Sequence, residues 1–211
     1  MLTDLRAAQL CQAVYAGQSG FDHWFEADGI IAGLVRQNDD VTIVFRGTDC
    51  AEDWLRDLDA VPVETLRLGT VHAGFYAGMD LFLSEVGMYL TGHVAVTGHS
   101  LGAARAAILA GLMTAGGHPP AKLTLFGCPR PGGGLLADIV THGSTVIASY
   151  RNREDPVPEV PYLPGVYQHI VDPTPIQSPD WHLVNVEDHY IAEYVAALQT
   201  TVARSCEAVS G

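Results

Sequence analysis

The stretch His93-Val94-Ala95-Val96-Thr97-Gly98-His99-Ser100-Leu101-Gly102 decides how the chain is read. His93 to Thr97 is a small apolar run, which predicts a buried strand. Leu101 to Met113 is rich in Ala and Leu, which predicts a helix. Between them, Gly98 to Gly102 forms a G-x-S-x-G pentapeptide. A strand that passes into a helix through this pattern leaves the serine hydroxyl standing above the sheet, where a base can reach it. The glycines fit because the turn brings backbone so close that a Cβ at either flank would clash. The pattern is that of a nucleophile elbow, with Ser100 as the nucleophile.

Working outward from the elbow, Met1 to Tyr15 predicts an amphipathic helix with Leu5, Ala8, Cys11 and Tyr15 on one side. Gly29 to Val35 and Asp40 to Phe45 predict strands joined by a turn at Gln37-Asn38-Asp39. Ala51 to Leu58 is a short amphipathic stretch. Phe75 to Leu90 carries Phe75, Met79, Phe82, Leu83, Val86 and Leu90 at helical spacing. Strands are expected at Leu123 to Phe126, Thr145 to Tyr150 and Val166 to Val171, a short helix at Leu135 to Val140, and a last helix from about His189 to Val202. Cys128 to Gly134 is a loop. Strands alternating with helices imply an α/β fold with a mostly parallel central sheet flanked by helices, and reactive groups gather beyond the carboxyl ends of such strands.

A length of 211 residues with 48% hydrophobic and 17% charged residues suits one well-buried core, so a single domain over 1–211 is expected. The formal charge of −13 argues against nucleic acid, whose binding needs a basic face, and against a strongly anionic membrane. No stretch is apolar for long enough to span a bilayer, and Asp4 and Arg6 interrupt any leader-like run. The expectation is a soluble protein, cytoplasmic unless it leaves by a non-classical route or a leader has been removed. Cys11, Cys50, Cys128 and Cys206 lack metal-ligand spacing and are read as reduced, though an even count permits two disulfides.

A serine is a poor nucleophile unless a base takes its proton and a carboxylate holds that base in the right tautomer. In elbow enzymes the order along the chain is Ser, acid, His. Asp155 follows the strand ending at Tyr150, in a loop stiffened by Pro156 and Pro158, with Glu154 as the neighbouring competitor. Among His142, His169, His182 and His189, the favoured base is His189, at the start of the last helix; His99 projects elsewhere and reads as structural. The oxyanion of a tetrahedral intermediate needs two donors. One is the N–H of Leu101, after the nucleophile, and the other is sought in Arg46-Gly47-Thr48, where Thr48 offers both N–H and hydroxyl.

Phe45-Arg46-Gly47-Thr48, Trp54 to Leu58, Val71-His72-Ala73-Gly74-Phe75, the elbow, Phe126 to Arg130, Asp155 to Pro158, and His189 with Tyr194 together resemble the class 3 lipase family, the fungal-type triacylglycerol lipases and their relatives. The resemblance runs from about residue 25 to residue 200. It implies an α/β-hydrolase fold, a Ser100–Asp155–His189 triad, and Thr48 with Leu101 as oxyanion hole. It also implies a lid at 49–58, where Trp54, Leu55 and Leu58 share an apolar face; such a helix can turn toward a lipid surface or simply stay packed. The chain departs from the family in Ala103-Ala104-Arg105, which puts an arginine early in the nucleophile helix, and in its lack of a leader where most relatives are secreted.

These readings imply a serine carboxylic ester hydrolase, a lipase or esterase, acting on acylglycerols or similar lipid esters through an acyl-enzyme. Its partners are a lipid or small ester and, transiently, a lipid interface; no metal or cofactor is required. Phospholipase A1 or thioesterase activity on the same triad is the alternative within enzymes. A catalytically silent lipase-like interaction module is the alternative outside them, and an intact triad argues against it.

Overall fold

A computed structural model describes residues 2–48, 59–143, 146–177 and 185–209. The amphipathic stretch 51–58 and the lid residues Trp54, Leu55 and Leu58 lie outside the described residues, as does His182. Strands are β1 (His23–Ala27), β2 (Ile30–Gln37), β3 (Asp40–Phe45), β4 (Pro62–Thr65), β5 (Gly69–His72), β6 (His93–His99), β7 (Lys122–Phe126), β8 (Val146–Arg151) and β9 (Thr174–Pro175). Helices are α1 (Asp4–Tyr15), α2 (Ala73–Tyr76), α3 (Met79–Val86), α4 (Leu101–Ala115), α5 (Gly134–His142) and α6 (Ile191–Val209).

The main sheet has the order β1-β2-β3-β6-β7-β8-β9. β1, β2 and β3 pair antiparallel, and the ladders joining β3, β6, β7, β8 and β9 are parallel, while β4 and β5 form a separate antiparallel hairpin. Alternate side chains of the central strands enter opposite layers. Ile43, Phe45 and Leu125 pack with α3, α4 and α5 on one face; Val44 and Phe126 pack with α1 and α6 on the other. The result is an α/β sandwich, helices on both sides of a mostly parallel sheet.

Helix α4 is buried nearly all round, which explains its Ala-rich composition without an apolar stripe. Arg105, the departure early in this helix, is itself buried, and its guanidinium donates to the Gly29 carbonyl at 2.6 Å. Burial lowers its pKa to about 10, so it stays charged at neutral pH and ties α4 to the β1–β2 turn.

The structure corrects three expectations. The helix read through Phe75 to Leu90 is two helices and a 3₁₀ turn, because Gly78 takes a positive φ of 78° and Ala77 is extended. The apolar spacing survives the break: Phe75, Met79, Phe82 and Val86 are all buried. Val166 to Val171 is not a strand. Pro164-Gly165 starts a turn in which the Val166 and Tyr167 amides donate to the Leu163 carbonyl, and Gln168 makes only an isolated bridge to Gly132. The strand beside β8 is instead Thr174–Pro175. Finally, α6 starts at Ile191, after a 3₁₀ turn Val186–His189 and the extended Tyr190, so His189 stands just before the helix.

Cys11 and Cys128 are free, buried thiols, and burial pushes both up, Cys11 to about 12. Among the described residues no helix is long and apolar enough to cross a membrane.

Candidate active site

β6 delivers Ser100 at its carboxyl end, and α4 begins at the next residue. Ser100 holds φ 59° and ψ −130°, a conformation that a residue with a Cβ rarely adopts. Its own N–H donates to the Phe126 carbonyl at 3.0 Å, which anchors the turn to β7. A Cβ at Gly98 would run into the Gly102 carbonyl, and one at Gly102 into that of Phe45. The elbow therefore needs both glycines. The Leu101 N–H is in the first turn of α4, where amides have no intrahelical acceptor and the helix presents its positive end.

Asp155 sits in the loop after β8, its N–H donating to the Asn152 carbonyl at 3.0 Å. Oδ1 accepts the Val157 N–H at 2.8 Å; Oδ2 accepts His189 Nδ1–H at 2.8 Å and the Tyr194 hydroxyl at 2.5 Å. Burial pushes this carboxyl up, but the His189 charge and these three donors more than offset it, and the net shift is downward. Asp155 is thus an anion held in place by directed donors. Tyr194, one helical turn into α6, completes the shell. Its hydroxyl is fully buried and raised well above its ordinary value, by burial and then by the Asp155 charge.

His189 ends the 3₁₀ turn, in which the Glu187 N–H donates to the capping Asn185 Oδ1 at 3.0 Å. Since Nδ1 faces a carboxylate, it carries the hydrogen, and Nε2 is left as an acceptor. Nε2 is buried without a hydrogen-bond partner, and so is Ser100 Oγ. Gly127 joins elbow to dyad: it follows Phe126, the partner of Ser100 N–H, and a Cβ there would come within 2.7 Å of Asp155 Oδ2 and 2.9 Å of the His189 ring.

Thr48 Oγ1 is a third buried, unpartnered polar atom, and the adjacent Gly47 lies against the Ser100 side chain. Such atoms each cost about 1–3 kcal/mol and call for an explanation. Here they belong to residues already singled out as nucleophile, base and oxyanion donor.

The other candidates are placed elsewhere. Glu154 pairs with Arg151 at 4.0 Å. His142 lies exposed on α5, its Nδ1 against the Asp138 carbonyl at 2.7 Å. His169 stands among Arg130, Glu159 and Asp172, its pKa lowered mainly by burial. A cavity of about 350 Å³, lined by Leu10, Val35, Thr42, His93 and Lys122, opens at the amino ends of β3, β6 and β7, away from the elbow. Among the described residues no three His, Cys, Asp or Glu side chains gather as a metal site. Sequence reasoning gave no role to Tyr194, Tyr15 or Gly127. Tyr194 stands five residues after His189 in the sequence, and that short spacing is the available signal for it.

The family model for Lipase (class 3) matches residues 42–164, more than half of the chain. Secreted mono- and diacylglycerol lipase A of Penicillium cyclopium is 32% identical over 162 residues, which is 72% of this chain and 52% of that protein. The chain thus spans about half the length of that relative. The solved triacylglyceride lipase of Rhizomucor miehei superposes with a TM-score of 0.66 at 22% identity, covering 89% of this chain and 91% of that one. A triacylglycerol lipase described as having a serine protease triad as its catalytic centre superposes at 0.67, again at 22% identity, over 88% and 89% of the two chains. At that identity the two structures speak for the fold, an α/β-hydrolase. The family match carries the assignment: this chain belongs to the class 3 lipases.

Proposed function

We propose that the protein is a serine carboxylic ester hydrolase, a lipase or esterase, that cleaves acylglycerols or similar lipid esters. Ser100, Asp155 and His189 are its triad, and Thr48 with the Leu101 N–H its oxyanion hole. The observation that carries this reading is the division of labour at His189. Its Nδ1 is committed to Asp155, whereas its Nε2 and the Ser100 hydroxyl are buried and unspent. Those two free atoms are the ones a proton transfer needs.

In the reaction, His189 Nε2 takes the Ser100 proton as Oγ attacks the ester carbonyl. The carbonyl oxygen becomes an oxyanion facing Thr48 and the Leu101 N–H, and Asp155 stabilises the imidazolium. The C–O bond breaks, His189 returns its proton to the departing alcohol, and an acyl-Ser100 ester remains. Water, deprotonated by His189, then attacks the acyl carbon; the bond to Ser100 Oγ breaks, the acid leaves, and His189 returns the proton to Oγ. A chain with net charge −13 suits a neutral ester, and the relative from Penicillium is named for mono- and diacylglycerols. Transient contact with a lipid interface would deliver such a substrate.

A fluorophosphonate probe followed by peptide mass spectrometry tests the reading. Modification at Ser100, lost in His189→Ala, supports it; a folded protein that takes no label at Ser100 would reject it.

A further inference from the structure

His99 follows from no step of that reaction, yet it is buried against the base. Its ring centroid is 4.5 Å from that of His189, and its Nε2 is 2.6 Å from the His189 backbone oxygen. On the other side, Nδ1 is 2.9 Å from the Tyr15 hydroxyl. The directions of both bonds can be assigned. A carbonyl only accepts, so Nε2 carries the hydrogen; in a neutral ring Nδ1 is then bare, and the Tyr15 O–H donates to it.

Burial, then the neighbouring His189 charge, lowers the pKa of His99 to about 3, so the ring is neutral at working pH. An imidazolium forming on His189 therefore meets an uncharged neighbour. The Tyr15 hydroxyl also lies where a Cβ of Gly47 would be, so the same group abuts the loop bearing Thr48. His189, for its part, sits in a 3₁₀ turn rather than a regular helix, and its backbone needs an anchor from outside.

We propose that Tyr15 and His99 are a positioning pair for His189: the His99 Nε2–H holds the His189 carbonyl and so sets where its ring stands, and the Tyr15 hydroxyl, donating to Nδ1, holds the His99 ring in the orientation that allows this. This rests on the ester-hydrolase reading. It adds residues of α1 and the elbow that act through the base and touch no substrate.

The test compares His99→Gln, His99→Asn and Tyr15→Phe. A glutamine amide N–H can reach the place of Nε2, whereas the shorter asparagine cannot. Support of this kind is typically worth 10–100-fold, so His99→Asn should lower kcat on p-nitrophenyl butyrate by about 10–100-fold with KM nearly unchanged, and His99→Gln should recover most of it. Tyr15→Phe should lose about tenfold or less, again in kcat. A second readout needs no turnover: the low-field proton NMR signal of His189 Nδ1–H in Ser100→Ala. It should persist with His99→Gln added and be lost to solvent exchange with His99→Asn added. Equal losses in the Gln and Asn variants would reduce His99 to packing and overturn the proposal, as would an unchanged kcat or an unchanged low-field signal in His99→Asn. If wild type hydrolyses no ester, the hydrolase reading fails, and the NMR comparison still decides the positioning.

Discussion

His189 Nδ1 and Asp155 Oδ2 stand 2.8 Å apart with their side chains almost sealed from solvent, at 1% and 0% exposure. In so dry a setting each group depends on the other for a hydrogen-bond partner. A buried carboxylate without its donors is costly, and an imidazole without the carboxylate loses its fixed tautomer. The pair also fixes which nitrogen of His189 faces the elbow.

Asp155→Asn tests that dependence. The side-chain amide can donate to Nδ1 and so drive the hydrogen onto Nε2, where it blocks the base. The expected result is a loss of about 10³–10⁴-fold in kcat with the fold retained, measured on p-nitrophenyl butyrate beside a circular dichroism spectrum. A loss below tenfold would remove Asp155 from the orienting role.

Thr48→Val keeps the shape and the backbone N–H but deletes the hydroxyl. Losing one oxyanion donor costs about 10²–10³-fold in kcat, and the KM should hardly change. An effect confined to KM would assign Thr48 to substrate binding instead.

Gly127→Ala should damage the dyad without touching its members. Gly127 has φ 53°, and an added Cβ would press on both Asp155 Oδ2 and the His189 ring. The strained backbone alone costs about 1–2 kcal/mol, so a lower urea midpoint is expected together with a fall in kcat. Wild-type kcat and midpoint would show that the contact carries no weight.

Stability should fall as pH drops from about 6.5 toward 3. Burial lowers the pKa of His99 from its ordinary value of 6.5 to about 3 in the fold, where it is packed against Tyr15, His189, Tyr194 and, through His189, Asp155. Across that window the unfolded chain binds a proton that the folded one refuses, so acid favours unfolding. His72 and His169 are lowered too and add to the slope. The depressed Asp155 carboxyl contributes stability above its ordinary value of 3.8, lost only as pH falls below that. Urea melts at several pH values should therefore show a shallower slope for His99→Gln than for wild type between pH 6.5 and 4, and equal slopes would contradict the assignment.

The sequence was most legible where geometry leaves few options. G-x-S-x-G placed Ser100, and the Pro-rich loop placed Asp155. The turn at Gln37-Asn38-Asp39 and the apolar run after it placed β3, whose bounds Asp40–Phe45 match the expectation. Less legible were elements with half-exposed faces. β1 lacks an apolar run, although Asp28-Gly29 after it, both at positive φ, was a hairpin signal. The β4–β5 hairpin was missed because β4 is largely exposed. The roles of Tyr15 and His99 could not be read at all. Each depends on bringing together residues 84 or 90 positions apart, which no local pattern encodes.

The most direct measurement is release of p-nitrophenol from the butyrate and palmitate esters by wild type and Ser100→Ala. Turnover of at least one ester by wild type, abolished in a folded Ser100→Ala, is the predicted result, and the butyrate-to-palmitate ratio then separates esterase from lipase. Substantial turnover remaining in Ser100→Ala, or none in a folded wild type, would contradict the claim that Ser100 is the nucleophile of an ester hydrolase.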